Sequence, residues 1–359
     1  MTINLDNQTI YKKDSNLLAA KSVELLAEQL KQVLEDSFLV KLPHDYSKIN
    51  NIVVNGMGGS NLGARIIKAV FNEQIKVPLL IEPGYNIPAF VNENTLYLLS
   101  SYSGNTEEVL SVYQKVKKLK AKIIVITSDE KNNKLLKIIF KDDLPGYIFK
   151  PTFNPSKQPR LGQGYMLLGT AILLAKTGLF ELKIDEIKNI ISNLEIWDRE
   201  LRPIVKEKLN LAKQIAQQLY NKQSILVTAE FLTGNGQVLR NQLCENSKNF
   251  ASFLTLPELN HYAMEGLANP TNNSQNLVFL FFNSILYHQR IQKRLKITNQ
   301  IVKKNKIITL EHVLRGKSKL EQSFEMLQFG TWISYYLGIL NNVDPIKIPW
   351  VDLFKERLG

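Results

Sequence analysis

Cysteine occurs once in the chain, at Cys244. That single thiol excludes an internal disulfide framework and a cysteine-rich zinc site, so nothing argues for a secreted, stapled fold and a cytoplasmic location is expected. Histidine is scarce as well. The four present, His44, His261, His288 and His312, show no metal-ligand spacing, which argues against a metal hydrolase. Long hydrophobic runs are missing: no segment approaches ~18 uninterrupted apolar residues. The stretch from Met1 to Ser15 is polar and charged where a signal peptide would be apolar, so no membrane partner is expected. Negative charge is also in short supply, with 45 Lys and Arg against 33 Asp and Glu and a net charge of +12. The lysines are nevertheless dispersed. Their densest run, Lys303 to Lys306, is broken by Asn305 and lacks interleaved aromatics, so it reads as a solvated turn and no nucleic-acid partner is expected. A diffuse positive field would still gather an anionic substrate.

What the chain does have is a rhythm. Its 359 residues, 44% of them hydrophobic, are too many for one small core and predict two domains. After a helical arm around Leu17 to Glu35, short apolar runs at Ile52 to Asn55, Val77 to Ile81, Thr95 to Ser100 and Lys122 to Thr127 alternate with helical spacing at Leu62 to Phe71, Thr106 to Leu119 and Asn132 to Phe140. Alternation of this kind predicts a parallel sheet covered on both faces. Lys150 to Pro159 carries three prolines with Asn, Ser and Gln, which is linker chemistry, and an apolar helix follows at Leu161 to Thr177. The βα rhythm returns with strands near Ser224 to Thr228, Ser252 to Leu256, Leu277 to Phe282 and Lys306 to Leu310. The predicted architecture is α/β, two doubly wound parallel-sheet domains, each a three-layer αβα sandwich, covering 1–180 and 181–359. Only the first half carries a glycine-rich turn, so the halves are expected to do different jobs.

That turn, Gly56-Met57-Gly58-Gly59-Ser60-Asn61-Leu62-Gly63, runs from a strand into a helix. Glycines let the backbone approach an anion, and the helix N-terminus offers N–H groups and a positive dipole end. A dinucleotide fingerprint is the rival reading, with Glu82 near the ribose position, but Asn61 stands where the third glycine belongs. A phosphate loop at Gly316-Lys317-Ser318 fails because Glu311 replaces its leading glycine. The next strand ends in Ser101-Tyr102-Ser103-Gly104-Asn105-Thr106-Glu107-Glu108, where three hydroxyls surround another helix start. Helix capping explains one of them, not three, and Ser101, Ser103 and Thr106 are the candidate phosphate donors. Successive strand ends of a doubly wound sheet lie side by side at its carboxyl edge, where such folds bind ligands.

Gly58-Gly59-Ser60 followed by Ser101-x-Ser103-Gly104-Asn105-Thr106-Glu107 resembles the sugar isomerase (SIS) domain, and this implies that Ser101, Ser103 and Thr106 grip a sugar phosphate with Gly59 and Ser60 assisting. Pro159-Arg160, Asn241-Gln242-Leu243-Cys244-Glu245-Asn246-Ser247-Lys248, Glu258-Leu259-Asn260-His261, Asp344-Pro345 and Asp352-Leu353-Phe354-Lys355 then follow in the order of the bifunctional phosphoglucose/phosphomannose isomerases, a resemblance spanning nearly the whole chain. It implies that Arg160 steadies an enediolate, Glu245 moves a proton, and His261 with Lys355 opens the sugar ring. The substrate it implies is a hexose 6-phosphate, with the protein acting as a homodimer. The residue types suit that chemistry on their own terms, and it asks for no metal or organic cofactor. A carboxylate can carry a proton between adjacent carbons, a guanidinium never loses its charge beside an oxyanion, and histidine exchanges protons near neutral pH. Cys244, Tyr262 and Ile346 depart from the family pattern, so the pocket wall is expected to differ and mannose 6-phosphate is the less secure substrate. Glu258, in the same turn as His261, is a competing base. Rival readings are a non-catalytic phosphosugar-binding regulator, an aminosugar synthase subunit and a nicotinamide-dependent dehydrogenase.

Overall fold

Runs of Ile, Val, Leu and Phe form the strands, because branched and aromatic side chains pack well on a pleated surface buried on both sides. The computed structural model describes residues 3–359; Met1 and Thr2, with which the first expected domain begins, lie outside the described residues. Two helices open the chain, α1 (Asp14–Glu24) and α2 (Leu26–Asp36). Then come β1 (Asn51–Asn55), α3 (Gly59–Val70), β2 (Leu79–Glu82), β3 (Thr95–Ser100), α4 (Glu107–Lys118), β4 (Lys122–Ser128), α5 (Lys134–Asp142), β5 (Gly146–Phe149) and α6 (Gln163–Ala175). The five strands form one parallel sheet in the order β2-β1-β3-β4-β5. α7 (Ile184–Leu201) and α8 (Leu211–Leu219) lead to β6 (Gln223–Ala229), α9 (Thr233–Ser247), β7 (Ala251–Leu256), the short α10 (Asn273–Asn276), β8 (Leu277–Asn283), α11 (Gln289–Lys304), β9 (Ile308–Val313), α12 (Lys319–Leu340) and α13 (Pro349–Leu358). The second sheet is again parallel, in the order β7-β6-β8-β9. The expected pair of doubly wound parallel-sheet α/β domains is what the chain forms.

Two compact units result. One holds residues 25–195 with 231–235 and the first sheet; the other holds 1–24, 196–230 and 236–359 with the second sheet. The first helix is therefore a member of the second-sheet unit, and the units do not follow a single cut at residue 180. Within the second-sheet unit a buried lysine explains that membership: Lys213 on α8 donates to the carbonyl oxygens of Leu5 (2.8 Å) and Pro203 (2.9 Å) and to Asp6 Oδ1 (3.2 Å). Its ammonium also stands 5.6 Å from the ring centres of Tyr11 and Tyr336. Burial pushes its pKa down, and the charge is tolerated because every donor has an oxygen or a ring face to meet.

In the first-sheet unit the proline-bearing stretch before α6 is no slack tether. Gln29 of α2 donates to the carbonyls of Phe153 and Leu161 (both 3.0 Å) and accepts from Gly164 N (3.0 Å), while Asn154 and Ser156 are buried. The segment is a platform, and its last turn, Pro159–Leu161, carries Arg160.

Candidate active site

β1 and β3 are neighbours, with Asn55 opposite Leu99, yet β1 continues by crossover to β2 on one side and β3 to β4 on the other. This is the reversal point at which open α/β sheets leave a crevice beyond the strand ends. Two turns fill its rim. After β1 the chain passes through Gly56–Gly58 into α3, whose first residue is Gly59. After β3 it passes through Ser101–Asn105 into α4. Hydroxyl bonds stitch the turns together: Ser100 Oγ donates to the Ser60 carbonyl at 2.6 Å, and Ser60 Oγ accepts from Tyr102 N at 2.9 Å.

The hydroxyls of the second turn are not occupied in capping the helix. Thr106 is the N-cap of α4 but makes no side-chain cap bond; its Oγ1 lies 2.7 Å from Ser101 Oγ instead. Ser101 is fully buried and Ser103 is exposed, with Ser103 Oγ accepting weakly from Asn105 N at 3.3 Å. The α4 start thus presents paired hydroxyls and a helix dipole with no cap side chain between them, the chemistry of an anion seat. Gly104 makes the turn possible. Its φ is +66°, and an added Cβ would fall 1.7 Å from Asn133 Oδ1. Asn133 is itself fixed, donating to Thr127 Oγ1 (2.8 Å) and the Ser128 carbonyl (2.6 Å) and capping α5 through Leu136 N (2.7 Å).

Arg160 comes to the same rim. The Pro159–Leu161 turn lies against the start of α3, with Arg160 N 3.5 Å from where a Cβ on Gly59 would stand. Gln163 locks the approach, donating to the carbonyls of Gly59 (3.2 Å) and Pro159 (2.9 Å). Arg160 is buried, and its Nη1 donates to Gln158 Oε1 at 2.8 Å, which fixes the fork of the guanidinium. Sequence reasoning missed Gln163. Its signal was a lone amide opening an otherwise apolar helix. Gly59, Ser60, Ser101, Ser103, Thr106 and Arg160 therefore gather in one unit.

Glu245, His261 and Lys355 belong to the other unit. Along α9, Gln242 and Asn246 are buried and pair with Thr331 Oγ1 (3.0 Å) and Ser334 Oγ (2.9 Å) of α12, a spacing of four that turns one polar face inward. Glu245, on a neighbouring line of the helix, is half-buried and Cys244 is exposed. Lys248 then ties the end of α9 to the segment before α13, donating to the carbonyls of Glu245 (2.8 Å) and Asp344 (2.5 Å). His261 closes the turn Glu258–His261 after β7 and is exposed, as is Glu258. The turn is held from behind by Asn260, which donates to Thr298 Oγ1 (2.7 Å) and accepts from Arg294 Nη1 (3.2 Å). Lys355 lies on α13, which buries none of its residues within the chain. Among the described residues no group of three or more His, Cys, Asp or Glu is placed to hold a metal, and no helix is long and apolar enough to cross a membrane.

Two parallel sheets of matching order, one of them ending in a glycine turn sewn to a hydroxyl turn, define a tandem SIS-domain enzyme. Residues 45–135 match the SIS domain, and residues 208–358 match the bacterial phospho-glucose isomerase C-terminal SIS domain. The chain is 31% identical to a bifunctional phosphoglucose/phosphomannose isomerase of Caldicellulosiruptor bescii over 94% of its own length and 98% of that protein's. It is 28% identical to the Aquifex aeolicus protein of the same name, over 88% and 92%. It belongs to the bifunctional phosphoglucose/phosphomannose isomerase family and is an isomerase. Among solved structures, a hypothetical protein of Thermus thermophilus superposes with a TM-score of 0.73 at 16% identity, covering 95% of this chain and 91% of that one. The tagatose-6-phosphate ketose/aldose isomerase of Escherichia coli superposes with a TM-score of 0.70 at 13% identity, covering 94% and 97%. These two show the shared fold.

Proposed function

We propose that the protein interconverts glucose 6-phosphate and fructose 6-phosphate, and also takes mannose 6-phosphate, through a cis-enediol. The observation that carries the phosphate end is the Ser101–Thr106 hydroxyl pair at the uncapped start of α4. The family relationship supports the rest. Ser101, Ser103 and Thr106 hold the phosphate, with Gly59 and Ser60 beside them. His261 and Lys355 move the proton that opens the ring. Glu245 then takes the proton from C2; the C–H electron pair becomes the C1–C2 double bond, and the aldehyde oxygen takes up charge and a proton. Arg160 offsets that charge with a cation that cannot deprotonate. As the C2 hydroxyl loses its proton to become a carbonyl, Glu245 returns its own proton to C1, and no electron leaves the molecule.

The test is a coupled assay of fructose 6-phosphate conversion to the glucose and mannose isomers, comparing wild type with Glu245→Gln at saturating substrate. Wild type turns over both, and the variant loses ~100-fold or more in kcat while retaining substrate binding. A wild-type protein that binds hexose phosphates without isomerising them would be a regulator instead.

A further inference from the structure

The second-sheet unit contains a cavity of about 150 Å³ that shares no lining residue with the candidate active site. It lies at the carboxyl end of β9, walled by Leu201, Leu211 and Phe329 on its apolar side. Arg315 roofs it. The guanidinium stands 5.1 Å over the Trp197 ring, donates from Nη1 to Glu200 Oε2 at 2.8 Å and approaches Glu325 Oε1 from Nε at 3.4 Å. A cation tethered to the chain is therefore already held at the mouth by an aromatic face and two acids.

Behind that roof two polar groups are left short of partners. Glu325 is buried, and its Oε2 accepts from Arg315 N (2.8 Å) and Gly316 N (2.9 Å), but its Oε1 has contacts at only 3.4 Å to Arg315 Nε and 3.7 Å to His312 Nε2. His312 is 9% exposed and stacks on Phe329 with ring centres 4.1 Å apart. Its Nε2 is buried with no hydrogen-bond partner among the described residues. Such a nitrogen normally finds a donor or acceptor, because burying it alone is costly. The ionisable residues lining the cavity are Glu200, His312, Arg315 and Glu325. Two carboxylates thus face one permanent cation, and one negative charge has no fixed counterpart.

We propose that this cavity binds a small organic cation, a primary alkylammonium or alkylguanidinium. Its head donates to Glu325 Oε1 and His312 Nε2 and restores charge balance, while its tail lies along Leu201, Leu211 and Phe329. An anion would face two carboxylates, and a neutral alcohol would leave the charge uncompensated.

Pentylammonium, 1-pentanol and pentanoate are the probes, titrated against the full chain by ligand-observed NMR and calorimetry. Pentylammonium is expected to bind saturably with a Kd on the order of 1 mM, the alcohol and the acid about ten-fold more weakly or not at all. Glu325→Gln should weaken pentylammonium about ten-fold or more. Leu211→Trp, which fills the mouth and leaves Glu325 in place, should remove binding even if the first variant fails to fold. Both should isomerise hexose phosphate at the wild-type rate without the amine. Pentanol binding as tightly as pentylammonium, no saturable binding of the amine, or unchanged affinity in folded Leu211→Trp overturns the proposal.

Discussion

Asp198 is an acid with almost no water around it. It is 1% exposed, accepts from Trp332 Nε1 at 3.0 Å and from Arg202 Nε at 2.5 Å, and burial pushes its pKa up to about 6 from 3.8 despite both partners. A carboxyl whose folded pKa is raised binds its proton more tightly when folded, so its contribution to stability falls as pH rises from about 3.8 to about 6 and stays low above that. Asp198→Asn keeps an acceptor for Trp332 and removes the titration. Across that window wild type should lose up to about 3 kcal/mol relative to the variant. Denaturant unfolding of both proteins at pH 4 and pH 7 measures it, and an equal stability difference at the two pH values would contradict the assignment. The same residue scale separates what the sequence displayed from what it hid. Ser101, Ser103 and Thr106 were legible because three hydroxyls exceed the needs of one helix cap. Gln163 and Asn133, which hold the rim in shape, were not: Gln163 meets the Gly59 carbonyl 104 residues away, and Asn133, bonded locally to Thr127, Ser128 and Leu136, reaches the rim only by packing against Gly104.

At the scale of elements, strands of apolar residues were legible and β5 was not, since four residues opening with a glycine carry little period. α9 was singled out for Glu245, and the role of its amides was not legible. Its amides are buried because α12 offers Thr331 and Ser334 at matching height, a pairing 88 or 89 residues distant in sequence. The phosphate turn shows how one element sets another. Replacing Gly104 by Ala puts a side chain at positive φ and drives a methyl into Asn133, the residue that caps α5. The backbone cost alone is about 1–2 kcal/mol. Gly104→Ala is therefore expected to raise KM for fructose 6-phosphate about ten-fold or more, with the larger effect on substrate capture than on kcat. Steady-state kinetics decide it, and a wild-type KM would detach the turn from substrate binding.

The whole molecule repeats one strand order twice, and that repetition was legible as a returning βα rhythm. Its lack of a second glycine turn was legible too: after β6, which takes the place of β1 in the strand order, the chain passes through the single turn Glu230–Leu232 into α9. On α13, Trp350, Val351, Phe354 and Leu358 are exposed, side chains that one chain has little reason to leave in water. Together with the family relationship this leads us to propose a homodimer. Light scattering at micromolar concentration should return twice the 41.0 kDa chain mass, and a fully active monomer would refute it.

Tyr335 of α12 donates to the carbonyl of Asn16 in α1, 319 residues away. An early-made helix therefore waits for a partner made more than 300 residues later. At roughly 5–20 residues per second that delay is on the order of tens of seconds. Through it the face of α1 that packs on α12 goes uncovered by that helix, while residues 25–195 of the first-sheet unit are already made. The order of synthesis thus makes the first-sheet unit the early folder, and leaves the opening helix as the segment a chaperone would meet.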